Sequence, residues 1–521
     1  HPGDLYTRNK IDRSIASVRD AYLLLGHADV EISDRTVRVG DQPEVDLVLR
    51  IRENRRTVAG LITIQGNFLT KDKIVRRQVR MQPGRVLDAR ELEVAEERIR
   101  ATQLFNEVRI TVQRPVASEQ DALDTPAATD SADAAPGAPA DPATAAARKD
   151  LVRSEVRDIL VEVKERNTGS VNFGVGLGTD SGIFGEFSVT QRNFDIDDPP
   201  ESIDEMIAGR AFRGAGQQFR ASIAPGNEIS NFSLDFTEPH LLESDYSFRV
   251  APFYRHRIYE DFDEDRTSVP FTLSRRLGDF WSVGVTAAAQ WVELTNFEPD
   301  AAIEVYDDRG PSSYANLGFF VKRTDVDRPF RPSRGSAIEL SATQYQPLSG
   351  DIESFSLVRG GYTQFFTVSE DFLGRRSVLK LSADAAYIFG GDAPTYERLY
   401  LGGRTFRGFD FRTISPKATG AVDPTLPAPN EPIGGNWLFF LGLQYEQPIM
   451  QNAFSGVAFI DSGTVLDDVG FDEYRASVGL GIRLYIPMFG PTPLAFDFAV
   501  PIAKEDTDET QVFSFSAEIP F

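Results

Sequence analysis

The run Ser477-Val478-Gly479-Leu480-Gly481-Ile482-Arg483-Leu484-Tyr485-Ile486 (SVGLGIRLYI) puts Val478, Leu480, Ile482, Leu484 and Ile486 on one face of an extended chain. Ser477, Gly479, Gly481, Arg483 and Tyr485 fall on the other. Side chains alternate across a strand, so this is the apolar-out, polar-in code of a membrane barrel. The C-terminal segment repeats it, with Phe513, Phe515, Ala517, Ile519 and Phe521 set to face outward and Ser514, Ser516 and Glu518 inward. Working back, the period of two persists to Gly169, and turns rich in Gly, Pro, Asn and Asp divide it into roughly sixteen segments, an even number as such barrels require. A soluble β-sandwich also alternates, but it rarely holds the pattern so long. The most apolar long stretch, Leu484 to Ala503, is interrupted by Pro487, Pro491, Pro493 and Pro501 and carries Asp497, which excludes a spanning helix. The expectation is an all-β transmembrane antiparallel barrel over residues 169–521.

Upstream the period changes to that of helices. Ile11, Ile15, Val18, Tyr22 and Leu25 share one face and Gly26 stands as a stop, predicting a helix from about Lys10 to Leu25. Strands are predicted at Ala28–Ile32 and Val45–Arg52. From Arg56 the order runs strand (Leu61–Ile64), helix (near Lys71–Arg80), helix (from Asp88-Ala89-Arg90-Glu91, a variant capping box), then strands Glu107–Gln113 and Asp158–Glu165. VDLVLRIREN (45–54) and DILVEVKERN (158–167) read alike, so the simplest account is a repeated β-α-α-β-β module of the α+β class. The domains expected are a partial module at 1–55, a module at 56–168 and the barrel at 169–521. The first copy lacks its opening strand and first helix, so the chain is expected to start inside a module. Pro115 to Lys149, rich in Ala, Pro, Asp and Thr, has no apolar periodicity and reads as a disordered insertion.

Composition removes several classes of function. A formal charge of −23 argues against nucleic acid, which selects clustered basic surface. With no cysteine there is no disulfide framework, thiolate metal site or cysteine nucleophile. His1, His27, His240 and His256 show no metal-ligand spacing, and no G-x-S-x-G elbow occurs. No catalytic residue, metal or cofactor is expected; binding and translocation are better supported than chemistry.

Between the eleventh and twelfth predicted strands lies a long loop, about Gly390 to Asn436, carrying LGGRTFRGF at 401–409. Glycines beside an arginine flanked by aromatics suit a tight turn that carries one cation into a confined space, although an exposed glycine-rich loop with an incidental arginine reads equally well. Asp461 shifts the balance, because it ends the apolar segment 456–460 facing inward, and a buried carboxylate requires a cation. At the other end of the barrel sequence, Gly174, Gly176 and Gly178 fill the inward positions after Asn172. Glycine weakens a strand, and Pro520 has no N–H to donate, so Gly174, Gly176, Gly178, Phe515, Pro520 and Phe521 mark a weak lateral seam between first and last strands. The alternative is that these glycines make room for the Arg407 loop.

LGGRTFRGFDFRTISPKATG (401–420), IGGN (433–436), FIDSGTV (459–465), KERNTGSVNFGVGLGTDSG (164–182) and the terminal phenylalanine together resemble the BamA family of bacterial outer-membrane barrel-assembly proteins. The resemblance spans the chain apart from the insertion. It implies POTRA modules in the periplasm feeding a sixteen-stranded barrel, an interior loop motif at Arg407, Gly408 and Phe409, and Asp461 as its acidic partner. It also implies unfolded barrel clients, accessory periplasmic subunits and outer-membrane lipids as partners, and no enzyme activity. Two rivals share parts of this architecture: a secretion translocator of the two-partner type and a passive porin with extra soluble domains. Clients would pass through the weak seam, and a disulfide joining one residue of Val171–Val175 to one of Ser514–Glu518 is the expected lock. Low-complexity insertions tolerate length change, so deleting about 117–148 should leave barrel folding and activity intact, read by gel mobility and an insertion assay. Lost activity in a well-folded deletion would mean that the insertion binds something.

Overall fold

The computed structural model describes residues 7–39, 45–113, 155–207, 209, 211–350, 352–450, 453–486 and 493–520. The insertion at Pro115–Lys149 and Phe521 lie outside the described residues. Two compact units result, one of residues 1–168 with 193–216, the other of 169–192 with 217–521.

The first unit opens with helix α1 (Arg8–Leu24) and a two-stranded antiparallel sheet of β1 (Glu31–Arg38) and β2 (Val45–Arg52). The first of these strands begins later than the expected Ala28. Gly26 leaves the helix with φ +91°, and a turn closed by Val30 N–H on His27 O occupies the residues between. The second module has the expected order: β3 (Thr57–Gln65), α2 (Asp72–Arg76), α3 (Ala89–Ala101), β4 (Phe105–Gln113) and β5 (Glu155–Glu165). β5 lies centrally, parallel to β3 and antiparallel to β4. Its inward residues Ile159, Val161 and Val163 meet Ile74, Val75, Leu92, Ala95 and Ile99 from the helices, burying one apolar core. α2 is shorter than Lys71–Arg80, because the chain passes into turns after Arg76. At α3, Asp88 caps as expected by accepting from Arg90 N–H at 3.0 Å, whereas the Glu91 carboxylate accepts from Arg98 at 2.7 Å. Residues 193–216, the last two residues of the second barrel strand and the turn after it, also belong to this unit. Buried Asp195 pairs with Lys71 at 2.6 Å, and Asn193 donates to Thr70 Oγ1 at 2.9 Å.

The second unit is a closed antiparallel barrel. Tyr246–Val250 and Phe253–Ile258 pair with the same two neighbours and form one interrupted strand, so the barrel has sixteen. No helix among the described residues is long and apolar enough to cross a membrane. The strands turn their apolar residues outward. In the fourteenth strand (Arg475–Leu484), Val478, Leu480 and Ile482 are exposed while Ser477, Gly479, Gly481 and Arg483 are buried, as the alternation requires. The first strand (Gly169–Gly178) likewise exposes Val171, Phe173, Val175 and Leu177. In the last strand (Phe513–Pro520), Phe513 is exposed and Ser514 buried, and Ala517, though buried, keeps the expected outward face because it lies directly opposite the exposed Leu177 across the closure. The long loop, 390–436, connects the eleventh strand (Arg376–Phe389) to the twelfth (Trp437–Met450).

Candidate functional site

A polar barrel interior creates charges that water or protein must satisfy, and here the long loop supplies the protein groups. Arg407 Nε and Nη2 donate to Asp461 Oδ2 and Oδ1 at 2.8 and 2.9 Å, a two-pronged fit of guanidinium to carboxylate. Its remaining arm donates to Gln444 Oε1 at 3.0 Å, and Cζ lies 3.4 Å from the ring centroid of Phe459. Gln444 comes from the twelfth strand, and Phe459 and Asp461 from the thirteenth (Phe454–Leu466), whose alternation turns both inward. Gly408 follows with φ +95°, and a Cβ there would come within 3.1 Å of Ser477 Cβ; the loop therefore lies close against the fourteenth strand. Ser477 Oγ donates to Arg407 O at 2.5 Å. Phe406 and Phe409, both wholly buried, meet edge to face at 5.0 Å and join Ile414, Leu438 and Val465 in a small core. Burying each phenylalanine contributes about 1.5–3 kcal/mol.

Two further attachments had no signal in the sequence strong enough to find them. Glu397 of the loop accepts from Arg266 Nη1 and from Gln290 Nε2, both at 2.7 Å, and Arg266 also donates to Glu264 at 2.8 Å. Glu264 and Arg266 share the inward face of the sixth strand (Asp263–Leu277), which alternation could have shown; their partner 131 residues away could not be read. Buried Arg475, at the head of the fourteenth strand, grips Asp508 at 2.9 and 3.1 Å. Asp508 lies in the turn before the last strand, and that turn meets the loop: Asp410 N–H donates to Glu509 O, and Gln511 N–H to Gly408 O.

At the closure, Ser516–Pro520 of the last strand pairs with Gly174–Gly178 of the first over five positions. The last strand shares only four described pairs with the fifteenth (Leu494–Ala503), whereas the sixth and seventh strands share fifteen. Phe515 stacks at a tilt on Phe496, 4.9 Å between centroids. Gly174 sits opposite Pro520. A Cβ at Gly176 would fall 2.0 Å from the Phe184 ring, so this glycine makes room for a neighbour in the second strand (Gly182–Phe194) rather than for the Arg407 loop. The loop instead touches the turn after the first strand, where Arg404 N–H donates to Asp180 Oδ2 at 2.8 Å. Among the described residues no group of acidic or histidine side chains could hold a metal ion.

The long loop also meets the turn between the seventh and eighth strands. Ala302 N–H donates to Glu431 Oε2 at 2.5 Å, and Ile303 N–H to Gly420 O at 2.9 Å. Burial pushes the Glu431 carboxyl up from 4.5 to about 7; Asp261 and Asp300 push the same way, while the Ala302 N–H and Arg412 oppose.

The sequence profile of the Omp85 superfamily domain matches residues 211–521, and that of the POTRA surface antigen variable number repeat matches 1–54 and 58–126. The chain is similar to outer membrane protein assembly factor BamA of Nitratidesulfovibrio vulgaris, 24% identical over 509 residues that cover 95% of this chain and 55% of the relative. To BamA of Neisseria meningitidis serogroup B it is 23% identical over 579 residues, covering 100% and 64%. The chain thus spans somewhat more than half the length of these curated relatives. Among solved structures it resembles BamA from Haemophilus ducreyi lacking POTRA domains 1–3, with a TM-score of 0.74 at 20% identity, covering 100% of this chain and 95% of that one. CdiB from Acinetobacter baumannii gives 0.51 at 14%, covering 100% and 83%. At such identities the structures speak for the fold alone.

Two outcomes are expected of this site. Arg407→Ala leaves the Asp461 carboxylate buried without its cation and should destabilise the barrel by about 3–5 kcal/mol, read from the urea midpoint of its folded-to-unfolded gel shift. An unchanged midpoint would mean that the pair is solvated. Glu431 binds its proton more tightly in the folded state, so its contribution is complete below about 4.5 and is lost as pH rises through about 7. The thermal midpoint should therefore fall between pH 5.5 and 8 more steeply in the native chain than in Glu431→Gln, and equal slopes would refute the assignment.

Proposed function

Because this chain belongs to the Omp85 superfamily, we propose that it is an outer-membrane protein assembly factor, which receives unfolded barrel proteins and inserts them into the bilayer beside its own first and last strands. It is an outer-membrane barrel with POTRA modules, and those modules are periplasmic. The curated relatives carry the assembly-factor name over nearly the whole length of this chain, which supports the reading.

The observation that carries it is the shortness of the pairing at the closure. Five pairs on one side of the last strand and four on the other are fewer than the seven shared by the third and fourth strands, the ten shared by the eleventh and twelfth, or the fourteen shared by the seventh and eighth. Separating a seam exposes backbone N–H and C=O groups in lipid, and the fewer the pairs, the less this costs. A client strand that pairs with the freed edge satisfies those groups again, by the same backbone chemistry as strand addition elsewhere. The factor then catalyses no covalent step; it lowers a barrier by offering a template edge. Outer-membrane lipids surround that edge, and accessory periplasmic subunits would bind the soluble modules. The loop fixed inside the lumen weighs against a freely conducting porin.

The expected cross-link windows, Val171–Val175 and Ser514–Glu518, do not face each other, since Val175 pairs with Ile519 and Ser516 with Gly178. Leu177 and Ala517 are directly opposed, so Leu177→Cys with Ala517→Cys is the lock to make in this cysteine-free chain. Oxidised in proteoliposomes, the variant should insert a client barrel about tenfold or more slowly, with the rate restored by reductant. Insertion at the native rate through a fully cross-linked seam would refute the proposal.

A further inference from the structure

Beneath the long loop lies a luminal cavity of about 710 Å³ whose wall is rich in arginine. Five of its cations each have a carboxylate at salt-bridge distance, from Lys322 with Glu339 at 2.7 Å to Arg359 with Asp384 at 3.1 Å. Arg257 and Arg412 are different. Among the described residues neither has a carboxylate partner. Arg257 Cζ lies 4.0 Å from the Phe411 centroid and 4.9 Å from that of Tyr259. Arg412 Cζ lies 3.5 Å from Tyr400 and 5.0 Å from the same Tyr259. Two guanidiniums thus share one tyrosine ring, and a stacked guanidinium keeps its in-plane N–H groups for another acceptor.

Those N–H groups are underused. The Nε atoms of Arg255, Arg257 and Arg412 are all buried with no hydrogen-bond partner among the described residues, and Arg257 spends one arm on Asp180 O at 3.1 Å. Arg412 is held with φ +63°, a left-handed conformation that an arginine adopts only where its surroundings impose it. The local charge does not balance either. Arg255, Arg257, Arg266 and Arg412 face Glu264 and Glu397, and Glu264 already accepts from Arg255, Arg266 and the Tyr259 hydroxyl. Against these four cations stand Glu264 and Glu397, with Glu431 the further carboxyl that Arg412 acts on, so positive charge is in excess here in a chain whose net charge is −23. Buried charge without a counter-charge is unfavourable, so the site favours an anion.

We propose that Arg257 and Arg412, with Arg255, form an oxyanion site in the barrel lumen that takes a phosphate group, free or as a small phosphate monoester. Phosphate carries about −1.5 to −2 charge near neutral pH, which offsets the excess of positive charge, and its oxygens match the forked N–H geometry of arginine. The cavity extends well beyond the stacked pair, toward Lys322 and Arg359, which leaves room for the organic part of a monoester.

The test is a phosphorus NMR titration of the detergent-solubilised full chain with inorganic phosphate and, separately, glycerol phosphate, at constant ionic strength in chloride. Saturable line broadening is expected, weakened by about tenfold or more in Arg412→Gln and in Arg257→Gln. Tighter binding of glycerol phosphate than of phosphate would identify the monoester as the ligand, and the reverse order free phosphate. Heat-dependent gel mobility reports whether each variant folds. If neither does, the native chain decides: its thermal midpoint should rise with phosphate relative to chloride of equal ionic strength. No saturable broadening by the native chain, native binding by folded variants, or no midpoint shift would each overturn the site.

Discussion

In lipid every backbone N–H and C=O must find a partner within the protein, and a β-sheet meets that demand only by closing on itself. Closure is therefore the condition on which the rest of this architecture stands. It fixes an even strand number, forces apolar residues outward and polar residues inward along each strand, and leaves one place where the two ends of the sheet must meet. Fifteen of the sixteen neighbours are joined through the chain by turns, and the sixteenth contact, between Gly169–Gly178 and Phe513–Pro520, is made across the sheet with no connecting turn. Glycines line one side of that contact, and Pro520 stands on the other.

Closure also creates the lumen, and the lumen creates an electrostatic problem. Inward positions carry Glu264, Arg266, Asp461, Arg483 and Asp497, which would be costly if dry and unpaired. Some strands solve it between themselves, as Arg483 and Asp497 do with bonds of 2.8 and 2.9 Å. Elsewhere the solution is the 390–436 loop, which sends Arg407 to one wall and Glu397 to another. The charges that make the interior polar are thus the same charges that hold the loop in place. Where loop and wall leave cations in excess, at Arg257 and Arg412, the same reasoning points to a ligand.

How much of this could be read from residues alone depends on the range of the interaction. Alternation is local, so the barrel, its strand number and the outward faces of Val478–Leu484 were legible. The β-α-α-β-β module was legible for the same reason, because Ile159, Val161 and Val163 announce a strand by themselves. Strand limits were less so: the Gly26 turn delays the strand that begins at Glu31, and nothing in the short run 28–32 reveals it. Asp461 could be tied to Arg407 because an inward carboxylate asks for a cation and the loop offered one between aromatics. Glu397 and Asp508 could not be placed, since loop residues have no period and their partners are fixed only once the chain has closed. Register is likewise tertiary: Leu177 against Ala517 depends on the stagger of the whole barrel.

The distribution of these attachments bears on the seam. The loop is fixed to the sixth, seventh, twelfth, thirteenth and fourteenth strands by side chains and to the turn before the last strand through Asp410 and Gly408, and that turn is itself tied to the fourteenth strand by the Arg475–Asp508 pair. The end of the last strand near Phe513 is thereby held from inside the lumen. Its other end, where Pro520 faces Gly174, has no such support among the described hydrogen bonds, and there the proline contributes no donor. If the seam opens as proposed, the cost of separating first and last strands would rise from the Pro520 end toward the turn at 504–512. A closure graded in this way can fray at one end without releasing the loop, because the bonds that fix the loop and the bonds that fray belong to different parts of the wall.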